Sequence, residues 1–164
     1  MTSKADKKEF DPASVETAKK RALWLLDKRD YSRAELCRKL MEKGYEDAAA
    51  EAAVDRLAEL GFVDDKRYAP IVVRHYAAKG YGRQRVQREL ARRGIPKDLW
   101  DDALAEMPEQ DETVDRLLHS RLRGAEASDR AALKKAADAL LRRGYGWDEI
   151  NAAVERYRSE TEVD

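Results

Sequence analysis

Glycine recurs in this chain at a constant step of 50 residues, at Gly44, Gly94 and Gly144. Each glycine follows a leucine four positions earlier, and these leucines keep the same step, at Leu40, Leu90 and Leu140. Matching triplets recur downstream of each glycine at the same step, Ala-Ala-Val at 52–54, Asp-Ala-Leu at 102–104 and Ala-Ala-Val at 152–154. A repeat of this length, present three times in register, is typical of stacked helical units.

The first copy is predicted to contain three helices. Asp11 is expected to cap the first helix, with Pro12 at its first helical position. Ser32 and Glu35 have the spacing of a capping box, which predicts the start of the second helix. Gly44 is expected to end that helix in the left-handed conformation. The remaining predicted helices cover 47–60, 64–79, 82–93, 96–107, 111–123, 128–143 and 147–157.

Composition supports a folded helical chain. The chain has 164 residues, of which 43% are hydrophobic, and only 8 are glycine and 4 proline. Alanine, leucine, arginine and glutamate are abundant, and these residues favour helices over strands. We therefore predict an all-α protein of three tandem three-helix repeats that form an elongated, curved array. The predicted parts are a flexible N-terminal tail at 1–10, repeats at 11–62, 63–108 and 109–158, and a C-terminal tail at 159–164.

Several classes of protein are excluded. A single cysteine, Cys37, rules out an intramolecular disulfide. No apolar run has the length of a membrane span, and the polar N-terminal residues carry no apolar signal region, so we expect a cytoplasmic protein with no membrane partner. His75 and His119 stand apart without the spacing of metal ligands. No phosphate-binding loop is present. We expect no catalytic, metal or cofactor site, and hence no enzyme.

The charge pattern points to a binding surface. Formal net charge is zero, but residues 66–97 hold ten basic residues and one acid, Glu89. On a helix over 83–93, Val86 and Leu90 mark the core face, and three arginines lie on the opposite face within about 60°. Such a face suits nucleic-acid phosphates or an acidic protein surface, and neighbouring acidic helices are a third possible counter-charge. The candidate contact residues are Arg74, Lys79, Arg83, Arg85, Arg88, Arg92, Arg93 and Lys97.

Three segments carry a family resemblance. They are Tyr-Ser-Arg-Ala-Glu-Leu at 31–36, Leu-Gly-Phe-Val-Asp-Asp at 60–65 and Lys-Gly-Tyr-Gly at 79–82. Together they resemble the bacterial RecX family, regulators of the RecA recombinase, over about residues 15–157. In the third copy, Ala131 stands where the others have Tyr31 and Tyr81, so the resemblance is weakest there.

The resemblance implies a function. RecX-like proteins are small cytosolic chains of three three-helix repeats that bind RecA and its filament on DNA. Most of them inhibit the ATPase, strand-exchange and coprotease activities of RecA, and so tune recombination, DNA repair and the SOS response. We accordingly expect a monomer whose partners are the RecA filament and single- or double-stranded DNA, contacted directly or through RecA. The alternative is a non-enzymatic protein that binds DNA directly through its basic middle repeat.

Overall fold

Helices account for all the regular secondary structure of residues 9–163, the part of the chain that the computed structural model describes. The all-α prediction is therefore confirmed for these residues. Residues 1–8 of the tail predicted at 1–10 lie outside the described part of the chain. In chain order the helices are α1 (Val15–Lys28), α2 (Arg33–Lys43), α3 (Asp47–Glu59), α4 (Asp65–Ala78), α5 (Arg83–Arg92), α6 (Trp100–Leu104, after a 3-10 turn at Lys97–Leu99), α7 (Asp111–Leu122), α8 (Arg130–Arg142) and α9 (Trp147–Glu162).

The helices divide between two compact units. The first unit contains the chain up to Tyr68 together with Arg93–Ile95, and the second contains 69–92 and the chain from Pro96 onward. In the first unit, α3 packs against both α1 and α2. Small side chains allow this close packing, because the buried residues of α1 and α3 include Ala18, Ala22, Ala50 and Ala53.

In the second unit, α7 packs against both α8 and α9. Their shared core includes Leu118, Leu140 and Tyr145, each with no more than 1% of its surface exposed. Within the described residues, no helix has the length and apolar character that crossing a membrane requires.

Capping interactions mark the boundaries of α1 and α2. The Ser32–Glu35 capping box is confirmed, since the Ser32 hydroxyl accepts from the Glu35 amide and the Glu35 carboxylate accepts from the Ser32 amide. Gly44 ends α2 at φ 112°, in the predicted left-handed conformation. The prediction that Asp11 caps α1 is wrong. Ser14 caps this helix by accepting from Thr17, and Asp11 instead accepts from Ala13 in the preceding turn.

Two other helix boundaries differ from the predicted ones. The helix expected over 96–107 is a 3-10 turn followed by a short α6, which ends at Leu104. Pro108 disfavours the helical conformation of Met107, the residue before it, so the helix cannot extend through that position. The last helix continues to Glu162 instead of ending near Tyr157. No glycine or proline follows Tyr157, so nothing in the sequence interrupts that helix.

Two glycines allow a close backbone contact in the second unit, which we call the seam (residues 79–85 against 143–145). The Gly82 amide donates to the carbonyl of Arg143 at 2.9 Å, and the Gln84 amide donates to the carbonyl of Gly144 at 3.1 Å. The start of α5 has no capping side chain, because Gly82 precedes it. Carbonyls from the end of α8 therefore satisfy the free amides of α5.

The seam leaves no space for side chains at its two glycines, and neighbouring side chains stabilise it with hydrogen bonds. A Cβ atom at Gly82 would lie 2.5 Å from the carbonyl group of Gly144, and a Cβ at Gly144 would overlap the backbone of Arg85. The Tyr145 hydroxyl donates to the Gly80 carbonyl at 2.8 Å, and Arg143 donates to the same oxygen at 3.1 Å. The contact thus depends on both the missing side chains and the hydrogen bonds around them.

Replacing Gly144 by alanine should destabilise the protein more than replacing Gly124. Both glycines have positive φ, 97° and 78°, so both substitutions carry the left-handed strain of about 1 kcal/mol. Nothing lies within 4 Å of a Cβ at Gly124, whereas one at Gly144 meets backbone. We expect Gly144→Ala to lower the free energy of unfolding by about 1–3 kcal/mol more than Gly124→Ala, measured by urea denaturation followed by circular dichroism. Equal losses would show that the seam tolerates a side chain.

Candidate functional site

Helix α5 presents one apolar and one basic side. Val86 and Leu90 are fully buried, as predicted, while Arg83, Arg88 and Arg92 are exposed. Arg85 is half-buried, and its guanidinium lies 5.2 Å from the centre of the Tyr81 ring. The period of the helix therefore places the arginines where the sequence predicted them.

Three of the predicted arginines come together at one cleft. Arg85, Arg88 and Arg92 line a space of about 360 Å³ with Glu89 and Tyr76, which lies on α4. We call this space the middle cleft. It is shallow and polar, so its shape suits a charged group on a larger partner more than an enclosed small molecule.

Glu89 neutralises part of this cleft. Its carboxylate, only 5% exposed, accepts from the Nε and Nη2 atoms of Arg92 at 3.1 and 3.0 Å. Arg85 approaches the other carboxylate oxygen to 3.4 Å. Burial raises the pKa of Glu89, but hydrogen bonds from Arg92 and Tyr76 and the charge of Arg85 outweigh burial, so the pKa lies below its ordinary value.

Of the three arginines that the sequence places opposite the core face, two are therefore paired with an acid of the same helix. Glu89 contributes a buried negative charge between Arg85 and Arg92, and only Arg83 and Arg88 of this helix make no ion pair within residues 9–163. The signal was present in the sequence, because Glu89 stands four residues after Arg85 and three before Arg92, the spacings at which side chains meet on a helix. Tyr76 was missed because its contact depends on how α4 lies beside α5.

Three further candidates of the second unit do not line the middle cleft. Arg74 forms an ion pair with Glu106 at 2.6 Å. The ammonium of Lys79 lies 5.9 Å from the centre of the Tyr76 ring, and that of Lys97 lies 5.9 Å from a Trp100 ring. Arg74 already has a counter-charge, so it is a weaker candidate for binding a partner than Arg83 or Arg88.

Arg93 belongs to the first unit. Its guanidinium donates to the Tyr68 hydroxyl at 2.7 Å and lies 3.9 Å from the carboxylate of Glu35, with 18% of its side chain exposed. Its carbonyl accepts from the Ser32 hydroxyl. Through these contacts Arg93 stabilises the packing of the first unit.

Comparison with known families covers nearly the whole chain. Residues 18–57 match the family described as "RecX, first three-helix domain", residues 64–104 match the second such domain, and residues 109–154 match the third. The division into three tandem three-helix domains is thus confirmed.

Named relatives agree with the family match. Regulatory protein RecX of Xanthomonas axonopodis pv. citri (strain 306) is 41% identical over 140 residues, which cover 85% of this chain and 86% of the relative. Regulatory protein RecX of Vibrio campbellii is 34% identical over 139 residues, covering 84% of this chain and 90% of the relative. The crystal structure of RecX from Lactobacillus salivarius superposes with a TM-score of 0.78 at 23% identity, covering 87% of this chain and 95% of that one, and so supports the fold.

The Glu89 cluster should make stability depend on pH. Because the pKa of Glu89 is lowered in the folded state, its stabilising effect is complete above its unfolded-state pKa, near 4.5, and is lost as the pH falls through the lower folded-state pKa. We expect Glu89→Gln to lower the free energy of unfolding by about 1–3 kcal/mol at pH 7. Urea denaturation at several pH values should show that the difference in free energy of unfolding between the parent and Glu89→Gln disappears as the pH falls below the ordinary pKa of glutamate.

A suitable control is Glu155→Gln, which removes an exposed ion pair with Arg158 on α9. Exposed pairs of this kind contribute less than about 1 kcal/mol. A gap for Glu89→Gln no larger than that of the control, or one independent of pH, would contradict the role given to Glu89.

Proposed function

Because this chain belongs to the RecX family, we propose that it binds RecA and the RecA–DNA filament and inhibits the ATPase, recombinase and coprotease activities of RecA. The observation that carries this proposal is the match of all three tandem domains, together with relatives named as regulatory proteins. Its setting would be recombination, DNA repair and the SOS response in the cytoplasm. The protein would act as a monomer and without catalysis.

The middle cleft supplies the proposed contact. Arg83 and Arg88 have no ion pair within the described residues, so their guanidinium groups can donate to a partner without first breaking an internal contact. Arginine binds carboxylates and phosphates in two-point geometry. Arg85 and Arg92 share Glu89, which orders the cleft and lowers its positive charge. We therefore propose Arg88, which lines the cleft without an internal counter-charge, as the principal contact.

Direct DNA binding through the middle repeat is the second candidate. The same unpaired arginines favour it, because phosphates attract exposed guanidinium groups whether or not RecA is present. The two functions differ in their salt dependence and in their need for RecA. Binding to bare DNA weakens steeply as salt rises, whereas binding to a protein filament also draws on contacts that salt affects less.

Titration of this protein into RecA hydrolysing ATP on single-stranded DNA tests the first candidate. We expect the parent to inhibit hydrolysis, and Arg88→Glu to raise the concentration for half-inhibition about tenfold, because reversal of this unpaired charge repels an acidic partner surface. The matched control is Arg38→Glu, one repeat earlier and also exposed. We expect that control to differ from the parent by less than about twofold.

Two results would count against the proposal. If the parent has no effect at any ratio, with RecA from the same source and both proteins folded, RecA inhibition is excluded. If Arg88→Glu and Arg38→Glu weaken inhibition equally, the contact does not lie at the middle cleft.

A further inference from the structure

A second basic cleft lies in the third repeat. Residues of α7 and α8, with Arg123 at the end of α7, surround a space of about 490 Å³. We call it the third-repeat cleft. Its lining contains four cationic side chains, one hydroxyl and no carboxylate; the residues are Leu117, Ser120, Arg121, Arg123, Lys135, Ala136, Ala139 and Arg142.

The four cations have no counter-charge within the described part of the chain. Arg121, Arg123, Lys135 and Arg142 are all exposed, and none forms an ion pair or side-chain hydrogen bond with residues 9–163. The acid nearest along α8 is Asp138, which lies 3.5 Å from Lys134 and does not line the cleft. Every charged group in the lining therefore repels the others, and a bound anion would relieve that repulsion.

The repeat shows how this cleft differs from the middle cleft. At the step of 50, Lys135 and Arg142 correspond to Arg85 and Arg92, and Ala139 corresponds to Glu89. Ala139 and Glu89 are equally buried, each 5% exposed. The position that carries the neutralising carboxylate in the middle repeat thus carries a methyl group in the third. The third-repeat cleft also has four cations in its lining against three in the middle cleft, so its formal positive charge is larger, four against two.

Backbone strain gives an independent indication. Arg123 has φ 49°, the one non-glycine residue with positive φ in the described part of the chain. It occupies the left-handed position that ends α7, where an L-residue costs about 1–2 kcal/mol relative to glycine. Gly124 follows directly, so a small change of sequence would have removed the strain. Strain kept at a position whose side chain lines a cleft indicates a use for that side chain.

From these observations we infer that the third-repeat cleft binds the phosphate backbone of DNA. All its charged and hydroxyl groups can donate hydrogen bonds, and three of the four cations are arginines, whose planar groups match phosphate oxygens. Four unpaired charges exceed what one carboxylate needs, whereas a DNA strand offers one negative charge at every nucleotide. This site does not depend on RecA binding, and it places the strongest DNA contact in the third repeat and not in the basic middle repeat.

The test measures binding of the full-length protein to a labelled single-stranded DNA oligonucleotide by fluorescence anisotropy, without RecA, over a range of salt concentrations. Lys135→Gln/Arg142→Gln removes two charges from the cleft. The matched control, Arg130→Gln/Lys134→Gln, removes two charges from the same helix outside the cleft. We expect the cleft variant to bind about tenfold more weakly at low salt and to lower the slope of log K against log salt by about 1.4, since each phosphate contact on a single strand contributes about 0.7. The control should stay within about twofold of the parent.

Arg123→Gly separates binding from stability. Glycine removes the left-handed strain, so we expect this variant to unfold at an equal or higher urea concentration than the parent while binding the oligonucleotide more weakly. Loss of a merely structural residue would lower stability and binding together. A variant that is as stable as the parent and binds DNA with unchanged affinity would remove Arg123 from the site.

Other outcomes overturn the inference outright. Equal weakening by the cleft and control variants would mean that DNA responds to total charge and not to this cleft. Competition by polyglutamate as effective as that of DNA at equal charge would assign the cleft to an acidic protein segment. Absence of DNA binding by the parent at low salt would also reject the site. Inhibition of RecA hydrolysis retained in that case would leave the proposed function standing.

Discussion

The structure depends on a backbone contact that admits no side chain. At the seam, the free amides at the start of α5 donate to carbonyls at the end of α8, and this approach requires glycine at both 82 and 144. The first unit contains the corresponding contact one step of 50 earlier. There the hydroxyl of Ser32 donates to the carbonyl of Arg93, and a Cβ at Gly94 would lie 2.5 Å from that of Ala34. Gly94 and Gly144 are therefore more than helix terminators, because each lets the end of one repeat's second helix approach the start of the preceding repeat's second helix.

Because the repeats share a similar backbone geometry, single sequence differences between them change the charge of the clefts. The seam fixes the start of α5 and so the direction in which its arginines point. Within that frame, Glu89 supplies a counter-charge to the middle cleft, and Ala139 leaves the third-repeat cleft without one. One side chain at an equivalent buried position thus accounts for one of the two units of charge by which the clefts differ. A chain with zero net charge acquires distinct positively charged surfaces in this way, since charges that pair internally contribute little to the field outside.

Sequence alone predicted the features that local chemistry determines. The helix order, the capping box at Ser32 and the left-handed Gly44 follow from residue type and spacing. The cap of α1 was misassigned because Asp11 and Ser14 are both good caps three residues apart, and the choice depends on the preceding turn. The candidate site was predicted only in part. The exposure of Arg88 follows from helical period, whereas the role of Arg93 in the first unit depends on contacts with residues distant in sequence. The third-repeat cleft was missed for the same reason, because its charges come from two helices and a strained turn.

Co-sedimentation with RecA filaments is the most direct test of the proposal that this chain regulates RecA by binding its filament. Filaments would be assembled on single-stranded DNA with a slowly hydrolysed ATP analogue, and the same DNA without RecA would be sedimented in parallel at a salt concentration that abolishes direct binding. We predict that the protein pellets with the filaments and saturates at a fixed ratio to RecA, while it stays in the supernatant of bare DNA. Equal pelleting with and without RecA would contradict it and identify a DNA-binding protein. Failure to pellet with filaments at any salt concentration would contradict it as well.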